Sequence, residues 1–70
     1  DGIVNYYKSD NKLTLVNSTL KKNFGPYEVY NMSGRIIQKG NARQEIILKQ
    51  ALPKGTYIIK YQNTSQKFMN

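Results

Sequence analysis

The stretch "YEVYNMSGRIIQK", residues 27–39, decides the fold class, because two segments that alternate in polarity flank a four-residue turn. Asn31 and Gly34 occupy the first and fourth positions of "NMSG", as a type I turn followed by a left-handed glycine prefers. This combination predicts a β-hairpin with a bulge at Gly34. Val29 is expected to face the core from the first strand of this hairpin.

The same pattern continues on both sides of the hairpin. Segments 3–7 and 12–16 flank "KSDN", whose polar residues favour a turn, so they predict a first hairpin. Gly25-Pro26 is a pair that marks a chain reversal, and "GNAR", residues 40–43, predicts another turn. Almost every apolar stretch is short and bounded by turn-forming residues, which is typical of strands and not of helices.

A second well-defined turn and strand lie in "LPKGTYIIKYQ", residues 52–62. Pro53 is suited to the second position of a turn, and Gly55 stands at the fourth. The alternating strand that follows turns at "QNTS", and "QKFMN", residues 66–70, is expected to pair back as the last strand.

Seven short strands in 70 residues, with frequent turn signals, predict an all-β fold, a small antiparallel sandwich or barrel. A chain of this length has room for one domain with a modest core. The predicted core consists of Leu13, Leu15, Val29, Ile37, Ile46, Leu48, Leu52, Tyr57 and Ile59.

The composition argues against catalysis and against metal or cofactor binding. The chain has no histidine and no cysteine, which are the usual acid–base, nucleophilic and zinc-binding residues. Asp10 falls in a turn, and Glu28 and Glu45 fall on predicted solvent faces, so no carboxylate pair is expected. We therefore predict a protein that is not an enzyme, with no catalytic residues, no cofactor and no metal site.

The net charge of +7 leaves two interpretations open. Lysine and arginine can neutralise phosphates, so a basic β-barrel that binds nucleic acid is one alternative, with tyrosines stacking on bases. The basic residues are, however, spread along the chain, with Lys21-Lys22 as the only adjacent pair. Dispersed lysines favour a solvated surface with protected strand edges, and nucleic acid is not expected as a partner.

Read together, "YEVYNMSGRIIQKG" and "LPKGTYIIKYQNTSQKF" resemble the C-terminal sorting domain of proteins exported by the type IX (Por) secretion system of Bacteroidetes. The family pattern is a Tyr-Asp/Asn-x-x-Gly turn between two strands, followed by Leu-Pro-x-Gly-x-Tyr and a final hairpin. The matching residues are Tyr30, Asn31, Gly34, Leu52, Pro53, Gly55 and Tyr57. The order and spacing of the two blocks are more specific than either block alone.

The resemblance implies an immunoglobulin-like sandwich of about seven strands and a function without catalysis. Residues 1–70 would be a single C-terminal sorting domain and a fragment of a longer secreted protein. Such a domain directs an upstream passenger, to which it is covalently linked, across the periplasm and through the type IX outer-membrane translocon to the cell surface. A sortase-like enzyme commonly then removes the domain and joins the passenger to anionic lipopolysaccharide.

The last hairpin, residues 55–69, is the region we expect to meet the translocon, through an exposed strand edge. The candidate contact residues are Lys60, Gln62, Lys67 and Phe68. The alternative functions are a generic immunoglobulin-like adhesion or spacer module and the basic nucleic-acid-binding barrel.

Overall fold

The computed structural model describes residues 2–17 and 23–70. Its strands are β1 (Gly2–Tyr7), β2 (Lys12–Asn17), β3 (Asn23–Asn31), β4 (Ile36–Arg43), β5 (Glu45–Ile47), β6 (Thr56–Tyr61) and β7 (Thr64–Met69). One turn of 3₁₀ helix, Lys8–Asp10, joins the first two strands. The described residues include no helix long and apolar enough to cross a membrane. Lys21 and Lys22 lie outside the described residues.

The strands form two antiparallel sheets that face each other. A three-stranded sheet has the order β1-β2-β5, and a four-stranded sheet has the order β4-β3-β6-β7. The three predicted hairpins are present, because β1 pairs with β2, β3 with β4 and β6 with β7. The prediction of an all-β sandwich with seven strands is thus confirmed.

The core lies between the two sheets and is built from alternate residues of the strands. Its buried side chains are Leu13, Leu15, Phe24, Tyr27, Val29, Ala42, Ile46, Leu48, Leu52, Tyr57, Ile59, Tyr61 and Phe68. The predicted core is therefore confirmed except at Ile37, which is only partly buried and packs against the cluster. Most of the additional core residues are aromatic.

The prediction of a chain reversal at Gly25-Pro26 is wrong, because β3 continues through this pair. A register shift between Asn23 and Gly25 accommodates it, and the backbone N–H of Gly25 bonds to Asn23 Oδ1 at 3.1 Å. Pairing of β3 with β6 begins only at Tyr27. Pro26 consequently lies where β3 pairs with β4 alone, a position at which the missing N–H costs the sheet little.

The predicted turn at residues 40–43 is also wrong, because these residues belong to β4. Gly40 lies opposite Tyr27, and a Cβ at Gly40 would come within 3.3 Å of the Tyr27 ring. Ala42 is fully buried in the core. Small residues at these two positions make room for neighbouring side chains, and after β4 the chain passes to β5 in the other sheet.

On one side of the sandwich, Gln38 of β4 connects the two sheets. Its amide nitrogen donates to the Tyr27 hydroxyl at 2.7 Å and to the Ile47 carbonyl at 3.1 Å. Its amide oxygen accepts the backbone N–H of Lys49 at 3.0 Å. This side chain therefore links the edge strand of the larger sheet to β5 and the residues that follow it.

Tyr61 is buried with an unpaired hydroxyl, and we expect Tyr61→Phe to stabilise the fold. The residue is 2% exposed, its ring packs edge-on against Phe24, and its hydroxyl has no partner within the described residues. Burying an unpaired hydroxyl costs about 1–3 kcal/mol. Tyr61→Phe should therefore raise the free energy of unfolding by about 1 kcal/mol, measured by urea denaturation.

The pH dependence of the same variant provides the control. Burial raises the pKa of Tyr61, so the unfolded chain loses this proton at a lower pH than the folded chain does. The contribution of Tyr61 to stability is constant below the usual tyrosine pKa and falls as pH rises above it. Tyr61→Phe should lack this alkaline loss. A variant less stable than the wild type at neutral pH would contradict the assignment.

Candidate functional site

The two sequence blocks that suggested the resemblance meet at one end of the sandwich. Asn31 lies directly opposite Tyr57 in the register of β3 and β6. A groove opens there between the turn after β3 and the segment before β6. We call it the motif groove; its walls are Asn31, Arg35 and Ile36 on one side and Leu52, Pro53 and Tyr57 on the other.

The turn after β3 is held by one asparagine. Asn31 Oδ1 accepts hydrogen bonds from the Ser33 N–H at 3.1 Å, the Ser33 hydroxyl at 2.8 Å and the Arg35 N–H at 3.0 Å. The Asn31 carbonyl also accepts the Gly34 N–H at 3.0 Å, and Gly34 has a φ of +87°. The predicted turn with a left-handed glycine is therefore present. The turn fixes the backbone from which Arg35 extends.

The segment before β6 is held by its backbone carbonyls. The Tyr57 hydroxyl donates to the Pro53 carbonyl, and Asn70 Nδ2 donates to the Leu52 carbonyl at 2.6 Å. Gly55 and Asn70 exchange two backbone hydrogen bonds, of 3.1 and 2.9 Å. Both walls of the motif groove are thus fixed by internal hydrogen bonds.

The remaining motif residues lie outside the groove walls. Gly34 provides the positive φ of its turn, and Gly55 forms backbone hydrogen bonds with Asn70. Tyr30 lies half-buried on the outer face of β3. The Tyr30 hydroxyl donates to Glu28 Oε1 at 2.6 Å, and this hydrogen bond raises the pKa of Tyr30. The Lys60 ammonium lies 5.0 Å from the centre of the Tyr30 ring. These contacts place a mixed-charge cluster on the outer face of the four-stranded sheet.

The candidate contact residues of the last hairpin divide into two groups. Lys60, Gln62 and Lys67 are exposed. Phe68 instead faces the core, where it stacks on Tyr57 at 5.6 Å between ring centres. Its predicted place on a contact surface is therefore corrected: Phe68 supports the hairpin from inside the sandwich.

The outer edge of β7 presents backbone groups at alternate residues. The two mutual bonds between Gly55 and Asn70 mark a hydrogen-bonded pair, and the register of β6 and β7 continues from it without interruption. Pairs in an antiparallel ladder alternate between bonded and non-bonded. The N–H groups of Ser65, Lys67 and Met69 consequently point away from β6, toward the edge of the sheet.

Two of the described acidic residues lie beside the same lysine. Asp10 and Glu45 both lie beside the Lys12 ammonium, at 4.0 and 3.4 Å. No cluster of three or more histidine, cysteine or acidic residues that could hold a metal ion occurs in residues 2–17 and 23–70.

A family model described as a secretion system C-terminal sorting domain matches residues 9–70 of this chain. The chain belongs to this family. Neither the curated proteins nor the solved structures gave a match. The sorting domains of this family are non-catalytic signals for type IX secretion, so this chain is a sorting signal of a secreted or cell-surface protein and interacts with the type IX machinery.

Arg35 and Ile36 are residues of the sorting domain that the sequence did not single out. Arg35 follows the turn glycine directly, and this position next to a motif residue was the available signal. Ile36 is 43% exposed, because a register shift between Val29 and Tyr30 turns it outward in β4. An alternation rule cannot locate such a shift.

Proposed function

We propose that this sorting domain is a folded address that the type IX outer-membrane translocon recognises in order to carry an upstream passenger to the cell surface. A sortase-like enzyme then removes the domain and joins the passenger to anionic lipopolysaccharide. Recognition comes first in this scheme and depends on the folded surface alone. We infer that β7 supplies the recognition surface, by pairing its outer edge with a strand of the translocon.

The asymmetry of the sandwich supports this choice of edge. The four-stranded sheet has β4 and β7 as its two edge strands. The β4 edge is linked to the other sheet through Gln38 and its bonds to Ile47 and Lys49. On the opposite side, β7 lies beside β1 of the other sheet, where Phe68 contacts Tyr6. No described strand pairs with its outward N–H groups at Ser65, Lys67 and Met69. A partner strand could therefore pair with these outward N–H groups of β7.

The test replaces one outward N–H and leaves the fold in place. In Lys67→Pro the edge loses a donor, but pairing with β6 does not use this N–H, and proline is tolerated at such an edge position. We expect the export of a reporter fused upstream of the chain to fall about tenfold, as the loss of one productive hydrogen bond of about 1.4 kcal/mol implies. The readout is the surface and medium fraction of the reporter.

Lys67→Ala is the matched control, because it removes the same side chain and keeps the N–H. We expect it to be exported within about twofold of the wild type, since an exposed lysine contributes little by itself. Thermal unfolding of both variants checks that they fold. Normal export of a folded Lys67→Pro fusion, or equal losses in both variants, would contradict pairing at this edge. A spacer would tolerate being moved from the C-terminus, whereas a sorting signal would not.

A further inference from the structure

Among the described residues, the motif groove is lined by one cation, Arg35, and by no acidic residue. Arg35 is exposed, and its guanidinium makes no ion pair or hydrogen bond within the described part of the chain. Lys49 and Lys54 are both exposed, and in the sequence they flank Leu52 and Pro53 of the opposite wall. Of the described charged residues, Arg35 thus lines the motif groove itself, and Lys49 and Lys54 flank its opposite wall in the sequence.

The described acidic side chains are engaged elsewhere. Asp10 and Glu45 lie beside Lys12 of the three-stranded sheet, and Glu28 accepts a hydrogen bond from the Tyr30 hydroxyl. None of them lines the motif groove. A negative group from a partner would consequently meet the groove without competition from a carboxylate of its own wall.

The groove also offers apolar surface beside the cation. Ile36 is 43% exposed and follows Arg35 directly in the chain. Pro53 is exposed on the facing wall, and Leu52 and Tyr57 close the groove from the core side. An occupant that satisfies both features would carry a carboxylate next to an apolar side chain.

Hydrogen bonds to the backbone of Arg35 hold this residue in place before any partner binds. The Arg35 N–H bonds to Asn31 Oδ1 and the Arg35 carbonyl accepts the Asn31 N–H, both at 3.0 Å, so the arginine extends from a fixed turn. A guanidinium recognises a carboxylate through two parallel hydrogen bonds. A concave groove fits a protein segment better than the flat surface of a bilayer.

We propose that the motif groove binds an acidic segment of a partner protein, in which an aspartate or glutamate pairs with Arg35 and a neighbouring apolar side chain contacts Ile36 and Pro53. The proposal rests on the proposed sorting function and names the chemistry of the surface that the domain meets. It uses a site separate from the β7 edge, so the two contacts can be tested independently.

The first experiment measures export of the reporter fusion carrying Arg35→Glu, Arg35→Lys or Arg43→Glu. Arg43 is the matched control, because it is an exposed arginine at the far end of β4. We expect a reduction of about tenfold or more for Arg35→Glu, a smaller one for Arg35→Lys and less than about twofold for Arg43→Glu, because only Arg35 loses a specific charge pair. Thermal unfolding verifies that each variant is folded.

The second experiment places the photocrosslinker p-benzoylphenylalanine at Ala51, an exposed residue of the groove. We expect an adduct to form in cells, and we expect the crosslinked segment of the partner protein to contain an aspartate or glutamate beside an apolar residue. Arg35→Glu should abolish this adduct. Co-sedimentation with phosphatidylglycerol vesicles tests the lipid alternative. Binding to vesicles that depends on Arg35, without a protein adduct, would overturn the proposal.

The outcomes separate this inference from the sorting function. An unexported wild-type fusion would overturn the sorting function, and the groove proposal with it. Export of a folded Arg35→Glu fusion at the wild-type level would overturn the groove proposal alone. Equal losses in Arg35→Glu and Arg43→Glu would do the same, because they would indicate a general dependence on positive charge.

Discussion

Phe68→Ala should destabilise the domain by about 3–5 kcal/mol, the usual cost of truncating a buried phenylalanine. Phe68 is 5% exposed, stacks on Tyr57 and packs against Tyr6 of the facing sheet. Its ring is thus a contact between β7 and both layers of the sandwich. Removing it leaves a cavity at the place where the last strand joins the core.

The size of this effect matters because the domain is small. Single domains are stabilised by about 5–15 kcal/mol, and a chain of 70 residues without cysteine, and so without disulfides, belongs near the lower limit. Loss of the Phe68 ring should therefore remove most of the stability. We expect the urea midpoint to fall sharply and export of a fused reporter to fail, because β7 no longer presents a fixed edge.

Met69→Ala is the control for the neighbouring position. Met69 is 72% exposed, so its truncation should change the free energy of unfolding by less than about 0.5 kcal/mol. If Phe68→Ala and Met69→Ala had similar effects, the inward orientation of Phe68 would be wrong. A stable Phe68→Ala domain that is not exported would instead indicate that Phe68 contacts the translocon.

Gly34→Val should have the second-largest effect, a loss of about 1–3 kcal/mol. At a φ of +87°, Gly34 occupies a conformation that a β-branched residue avoids. Apart from its own residue and its two chain neighbours, nothing described lies within 4 Å of a Cβ built at Gly34, so the cost comes from the backbone and not from a clash. The strain is relieved only if the turn changes shape.

A change in this turn also reaches the motif groove. Asn31 and Arg35 flank Gly34 and depend on the turn for their mutual hydrogen bonds. We therefore expect Gly34→Val to reduce export of a fused reporter together with stability, measured by surface display and by urea denaturation. Gly34→Asn is the control, because asparagine tolerates left-handed backbone better than valine. Equal stability of the valine and asparagine variants would show that the turn does not need this conformation.

Local turn chemistry was readable from the sequence. The side chain of Asn31 and the missing side chain of Gly34 determine the turn through contacts within five consecutive residues. The alternation of Tyr57 and Ile59 along β6 was equally local, and both residues are buried. The family could be recognised for the same reason, since its two blocks are turn signals at a characteristic spacing.

The errors arose where pairing between distant segments overrode local preference. Gly25 and Pro26 are turn-forming residues, yet pairing with β4 holds them in a strand. Gly40 and Asn41 are held in β4 by the same ladder. Composition alone cannot reveal a partner strand that lies more than ten residues away in the chain.

The sequence by itself determined an all-β chain, its hairpin turns, most of its core and its membership of the sorting-domain family, because each depends on residue type and short spacing. The tertiary structure alone decided that Phe68 faces inward, that β7 is an edge, and that Asn31 and Tyr57 share a groove with Arg35. These features depend on sheet order and register, which arise only when the two sheets pack and bury their apolar faces together.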